Sequence, residues 1–222
     1  MNKYSTSILI LLLFVACERE CEKIIDKYDN GQTSILRMYP NCSDTLTFTE
    51  IRYFKTGELG SESYHSSELD YSQHKSWFKN GQLSAMWQEK DGKEHGHILC
   101  WYENGEMKRE GNLNVGVETG IHKEWYDNGQ LAEHGKLVRD KKDSVWTYWY
   151  ESGQIEMIET YENDTLNGKT TIWFENGQLD RELDYVNGLN HGEFKRWDST
   201  GVLIKHYKSE NDTVIKVLLE KK

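Results

Sequence analysis

The side chains that could do chemistry in this chain are its eight histidines, its four cysteines and a surplus of acids, 37 Asp and Glu against 27 Lys and Arg. Their spacing limits what they can do. His74 and His122 hold the same place in a recurring pattern but lie two units apart, roughly 19 Å along a sheet with strands ~4.8 Å apart. They cannot share a metal ion whose bonds are ~2 Å long. His95 and His191 share another phase, four units apart. His95 and His97 alternate beside a turn, close enough to hold a metal weakly and equally readable as ordinary turn residues. His65, His134 and His206 have no evident companions. Glu110 and Glu182 recur three units apart, far beyond the ~5–9.5 Å of a glycosidase carboxylate pair. There is no CxxC or His/Cys cluster, no Gly-rich phosphate loop and no Gly-x-Ser-x-Gly elbow. The expectation is a chain without catalytic residues, cofactor or metal, and not an enzyme.

What positions these side chains is a repeat. Trp77-Phe78-Lys79-Asn80-Gly81-Gln82-Leu83 returns every 24 residues, from Trp101, Trp125, Trp149 and Trp173, with weaker copies from Tyr53 and Trp197. A fixed period of this length marks stacked supersecondary units. The turn glycines are Gly57, Gly81, Gly105, Gly129, Gly153, Gly177 and Gly201. Asn-Gly between aromatic and aliphatic flanks signals a hairpin, and the tight turn is expected to place both residues at positive φ. A second turn series steps through Gly92, Gly116, Asp140, Asp164 and Gly188; a further glycine series runs Gly96, Gly120, Gly168 and Gly192, broken by Ser144. Each unit therefore reads as two short strands and two turns. The fold class is all-β: a single elongated, twisted antiparallel sheet of stacked β-hairpins, about 14 strands for seven units. Alternation along the strand sends Trp77, Trp101, Trp125, Trp149, Trp173 and Trp197 to one face as tiers of core rings. Phe54, Phe78, Tyr102, Tyr126, Tyr150 and Phe174 go to the other.

The organisation reads as a leader over residues 1–16, an anchored N-terminal segment and cap over 17–50, hairpin repeats over 51–206 and a C-terminal capping strand over 207–222. The stretch from Thr33 to Glu50 fits the repeat badly. Thr213 to Leu219 reads as a closing edge strand after a turn at Asn211-Asp212. A net charge of -10 argues against nucleic acid as a partner, because cations supply most of that affinity.

Lys3 precedes an apolar run from Ile8 to Ala16, too short to span a bilayer as a helix and suited to a secretory signal. Phe14-Val15-Ala16-Cys17 followed by Glu18-Arg19-Glu20 resembles a bacterial lipoprotein signal, which implies lipidation of Cys17 after cleavage. The chain would then be exported and held on a membrane through that lipid. In an oxidising compartment Cys21 and Cys42 can bridge, while Cys100 reads as a packing residue.

The wording Trp101-Tyr102-Glu103-Asn104-Gly105-Glu106-Met107, recurring in register from Ile51 to Leu203, resembles the MORN repeat. It is closest to the bacterial variant often labelled antitoxin-like. The resemblance implies stacked hairpins in a curved sheet used for protein contacts and sometimes lipid contacts. The leading expectation is a membrane-anchored, non-catalytic scaffold in the cell envelope that binds an unidentified protein. Two alternatives stand beside it. The aromatic hairpins also resemble choline- and glucan-binding repeats, which would make this a glycan- or cell-wall-binding module. The family label also implies an antitoxin or immunity protein that neutralises a toxin.

Overall fold

The computed structural model describes residues 20–66 and 70–221. It is all-β: the described residues form twenty strands and no helix. Pairing is antiparallel and follows chain order from Cys21–Lys27 at one edge to Thr213–Glu220 at the other. Three of the twenty are two-residue pieces, Lys93–Glu94, Val117–Glu118 and Thr165–Leu166, each split from the strand that follows it by one bulged residue. His95, Thr119 and Asn167 make these bulges, and their amides still bond across to Gln88, Asn112 and Thr160. The bulges explain the third glycine series: Gly96, Gly120 and Gly168 follow them at φ +78, +90 and +133. Ser144 takes the corresponding place at φ 65 despite its Cβ.

The two turns of each unit differ. At the Asn-Gly end the Gly81 amide bonds to the Phe78 carbonyl, and the Phe78 amide to the Gln82 carbonyl. Gly81 sits at φ +87, while Asn80 is absent from the positive-φ residues. This is a type I turn closed by a glycine bulge, not the both-positive turn expected from the sequence. The asparagine has another purpose. Its Oδ1 accepts from the Gln82 amide, and its Nδ2 donates to the Glu103 carbonyl of the next hairpin at 2.9 Å. Asn104, Asn128 and Asn176 make the same bridge to Asp127, Glu151 and Ser199. Where a Tyr follows the repeat Trp it adds a second bridge: Tyr102, Tyr126 and Tyr150 donate to the carbonyls of Trp125, Trp149 and Trp173 at 2.7–2.9 Å.

The opposite end uses turns with two positive-φ residues, such as Arg139-Asp140 (53, 62) and Asn163-Asp164 (50, 66). Here aspartates do the bridging. Asp140 accepts from the Glu118 amide, Asp164 from the Lys142 amide and Asp212 from the Asn190 amide. Each such bond contributes ~1 kcal/mol, so neighbouring hairpins are pinned along both flanks as well as through the strand ladder.

The N-terminal segment departs from expectation. Thr33–Tyr39 and Thr47–Tyr53 are regular, paired strands. Tyr28 to Gln32 forms the same turn as the repeats, with Tyr28 bonded to the Tyr53 carbonyl. The irregularity is confined to the loop between those strands, where Asn41 and Asp44 cap the backbone. This stretch is a further hairpin whose loop hides the period. Thr213–Glu220 closes the sheet as expected, with Val214, Ile215, Val217 and Leu218 exposed.

The core also lies elsewhere than expected. Trp77, Trp101, Trp125, Trp149, Trp173 and Trp197 each end a strand and are only half-buried. Among the described residues no ring contact joins two of them, because strands two apart are ~9.5 Å distant. The tiers of touching rings are therefore not formed. The following Phe or Tyr lies in the turn, beyond the strand. The buried positions form a row across the middle of one face, where coverage from both flanks is greatest. It runs through Glu50, His74, His122, Trp146, Glu159, Thr170 and Leu183. Trp146, at 1% exposure, is the most buried ring and belongs to no repeat series.

Candidate functional site

The middle of that buried row is charged. The hairpin Gly120–Trp125 and Leu131–Val138 turns at Gly129, which sets Trp125 opposite Leu131, Glu124 opposite Glu133 and His122 opposite Gly135. Alternation then sends His122, Glu124 and Glu133 to the same face. The bulge at Thr119 lets Glu118 reach back to the imidazole. His122 Nδ1 lies 2.9 Å from Glu118 Oε1, and Nε2 lies 3.1 Å from Glu133 Oε1 and 3.6 Å from Glu124 Oε1. Two cations flank the group. Arg109 pairs with Glu118 at 2.5 Å and approaches Glu124 at 3.9 Å, while Lys142 approaches Glu133 at 4.0 Å.

The His122 side chain is 8% exposed. Burial alone would lower its pKa, but the hydrogen bonds to Glu118 and Glu133 outweigh it and push the imidazole up to about 9. The imidazolium therefore persists at neutral pH. Burial raises the Glu118 carboxyl, and its bonds to His122 and Arg109 more than reverse this, holding it below the usual range. The bond to His122 holds Glu133 low as well.

Glycines make the room. A Cβ on Gly111 would meet Glu118 Oε1 at 2.7 Å, and one on Gly135 would meet the Trp146 ring at 2.1 Å. Trp146 lies flat over Gly135, donates from Nε1 to the Lys136 carbonyl, and walls the site with its ring 5.6 Å from His122. Lys142 donates to the Tyr148 hydroxyl at 2.7 Å and sits 4.2 Å from the Trp146 ring centre and 5.0 Å from that of Tyr148. Burial raises the Tyr148 phenol, so it stays a neutral partner to the ammonium.

Chemically this is a paired network. Each carboxylate near His122 has a cation beside it, and no serine or thiol stands at the imidazole as a nucleophile among these contacts. The site can hold charge, and its three ligand-type atoms can hold an ion: His122, Glu124 and Glu133 offer donors within 4.8 Å of one another.

The expected site residues fall as follows. Cys17 and the leader lie outside the described residues. Cys21 and Cys42 are joined by a disulfide, Cα atoms 5.2 Å apart. Cys100 is free and half-buried. All seven turn glycines have positive φ. Of the two turn histidines, His97 faces Glu110 at 3.4 Å, while His95 Nδ1 is buried with no hydrogen-bond partner. His74 stacks on Trp87 at 4.9 Å, bonds to Ser63 and Ser72, and has Glu89 Oε2 3.5 Å from its Nε2. The charged cluster was missed because histidines were compared with histidines. The signal that finds it is the turn at Gly129, whose register puts Glu133 beside Glu124.

The reverse face is ionic and half-exposed. One row of directly paired residues includes Glu110, Lys123, Glu182 and Lys195. Lys123 pairs with Glu110 at 3.1 Å, and Lys169 with Glu182 at 2.6 Å. Among the described aromatics only Tyr64, at 40%, is exposed.

No curated protein matches the chain. Four successive segments, residues 94–114, 118–137, 142–163 and 166–187, match the family model described as the MORN repeat variant. Each spans a strand pair of the sheet, and the second of these matching segments holds Glu118, His122, Glu124 and Glu133 together.

Proposed function

We propose that this chain is a membrane-tethered, non-catalytic scaffold that binds another protein in the cell envelope. The observation that carries the reading is the reverse face, where half-exposed Lys123 pairs with Glu110 and, further along the sheet, Lys169 and Lys195 pair with Glu182. Exposed ion pairs of this kind contribute little to stability, so a partner's charges can replace them at small cost and gain orientation. MORN repeats are modules of protein and membrane contact, which agrees with such a face. The tether rests on the sequence around Cys17. Glycan stacking has less support, because the repeat tryptophans are half-buried and the tyrosine hydroxyls are used between hairpins. A toxin as the partner has no separate observation behind it.

The test is crosslinking in intact envelopes with the wild type and a Lys123→Glu, Lys169→Glu, Lys195→Glu chain. The wild type should capture a discrete partner that the charge-reversed chain loses. No discrete partner, or equal capture by both, would sink the scaffold reading. For the tether, Cys17→Ser should abolish incorporation of labelled lipid; continued incorporation ends that part alone.

A further inference from the structure

A sheet of this kind has no need of ions at its centre. In the flanking repeats the place of His122 is taken by Ile98, Trp146 and Thr170. That of Glu124 is taken by Cys100 and Tyr148, and that of Glu133 by Arg109 and Met157. All these neighbours fold into the same sheet. Burying charge costs free energy that apolar side chains would not; the row also buries Glu50 and Glu159, but only at His122 do an imidazole and two further carboxylates converge.

We propose that His122, Glu124 and Glu133 form a binding site for one divalent transition-metal ion of the zinc type. The two separations from Nε2, 3.1 and 3.6 Å, bracket the ~3.4 Å expected between ligands of a tetrahedral ion with bonds of ~2.1 Å. The imidazole is already oriented for it, and binding releases to solvent the Nε2 proton that His122 otherwise shares with Glu133. Nδ1 donates to Glu118, which Arg109 holds in turn, so Nε2 is the nitrogen aimed at the two acids. A carboxylate behind the ligating histidine is the usual outer support of such sites. Glu124 is the most open of the three, its side chain 44% exposed, and the ion enters past it. A mixed nitrogen and carboxylate set favours zinc-like ions over magnesium. Arg109 and Lys142 offset part of the acid charge and make the site weaker than a structural zinc site. The site is independent of the partner-binding reading and stands or falls separately.

The test is calorimetric titration of the untagged full chain with Zn²⁺, with Co²⁺ as an absorbing probe. One equivalent should bind, giving a Co²⁺ spectrum of low coordination number. Both His122→Gln and Glu124→Gln should weaken Zn²⁺ at least about tenfold, with circular dichroism confirming an intact sheet. Glu124 is open enough that its variant folds even where that of His122 does not. His74→Gln should change nothing. Absence of binding by the wild type, equal affinity in the Glu124→Gln chain, or preference for Mg²⁺ would each overturn the proposal.

Discussion

Two regions of the buried row solve the same packing problem in opposite ways. Around His122 the row is ionic, with an imidazolium held between carboxylates and two cations at their sides. Five strands further on it is apolar. Leu183 is buried, and Phe194 stacks on Tyr207 with centroids 4.4 Å apart and planes 10° from parallel. The backbone does not distinguish them, since both lie in the same ladder with the same kinds of turn and the asparagine bridge between units. The sheet is therefore specified by turns, bridges and strand pairing, and the centre of its face is free to specialise. Trp146 marks the boundary, with the imidazole on one side and Glu159 paired opposite it on the other.

The sharpest way to break this contrast is at that boundary. Gly135→Ala drives a Cβ into the Trp146 ring and should lower stability by about 3 kcal/mol or more. Trp146→Ala should cost about 3–5 kcal/mol. Both are read by urea denaturation, and losses under about 1 kcal/mol would show that Trp146 does not organise the centre.

Next comes pH. The folded pKa of His122 is about 9 against an ordinary 6.5, so its contribution is fully present below pH 6.5 and fades as pH rises through about 9. The facing groups are Glu118, Glu124, Glu133, Arg109 and Lys142, and the lowered carboxylates add an opposite loss toward acid. Up to about 3 kcal/mol should disappear on the alkaline side, and His122→Gln should flatten that limb. Leu183→Ala should lower stability by about 2–5 kcal/mol at every pH and leave the limb intact. An unchanged alkaline limb in the His122→Gln chain would show that the two regions do not differ electrostatically.

The smallest effect concerns what they share. Tyr126→Phe removes one bridge to the next hairpin and should cost about 1 kcal/mol. Phe174→Tyr, at the equivalent place in a later unit, should recover a similar amount if the hydroxyl reaches the next strand-end carbonyl. No change in either chain would mean that the flanks do not bind the units together.

Much of the fold was legible in the residues, because a 24-residue period fixes strand, turn and order together. The glycines announced their turns directly, since positive φ excludes most other side chains. Asn80 and its equivalents were misread because their effect lies in the next unit, which no single-turn rule contains. The repeat tryptophans were misplaced for a similar reason: alternation tells which face a residue joins, not how far along the strand the face is covered. Thr33 to Glu50 looked irregular only because two extra residues in its loop displaced the period. The charged cluster needed both a bulge at Thr119 and a cross-strand partner at Glu133. It was recoverable from the Gly129 register but not from a search for paired histidines.

Because each strand bonds only to those before and after it in sequence, no early hairpin waits for a late residue to complete it. The chain can zip up progressively from its N-terminal end as it is synthesised, each new unit docking on the last. A truncation from the C-terminus should then leave a shorter ordered body, with the newly bared strand as its only injury.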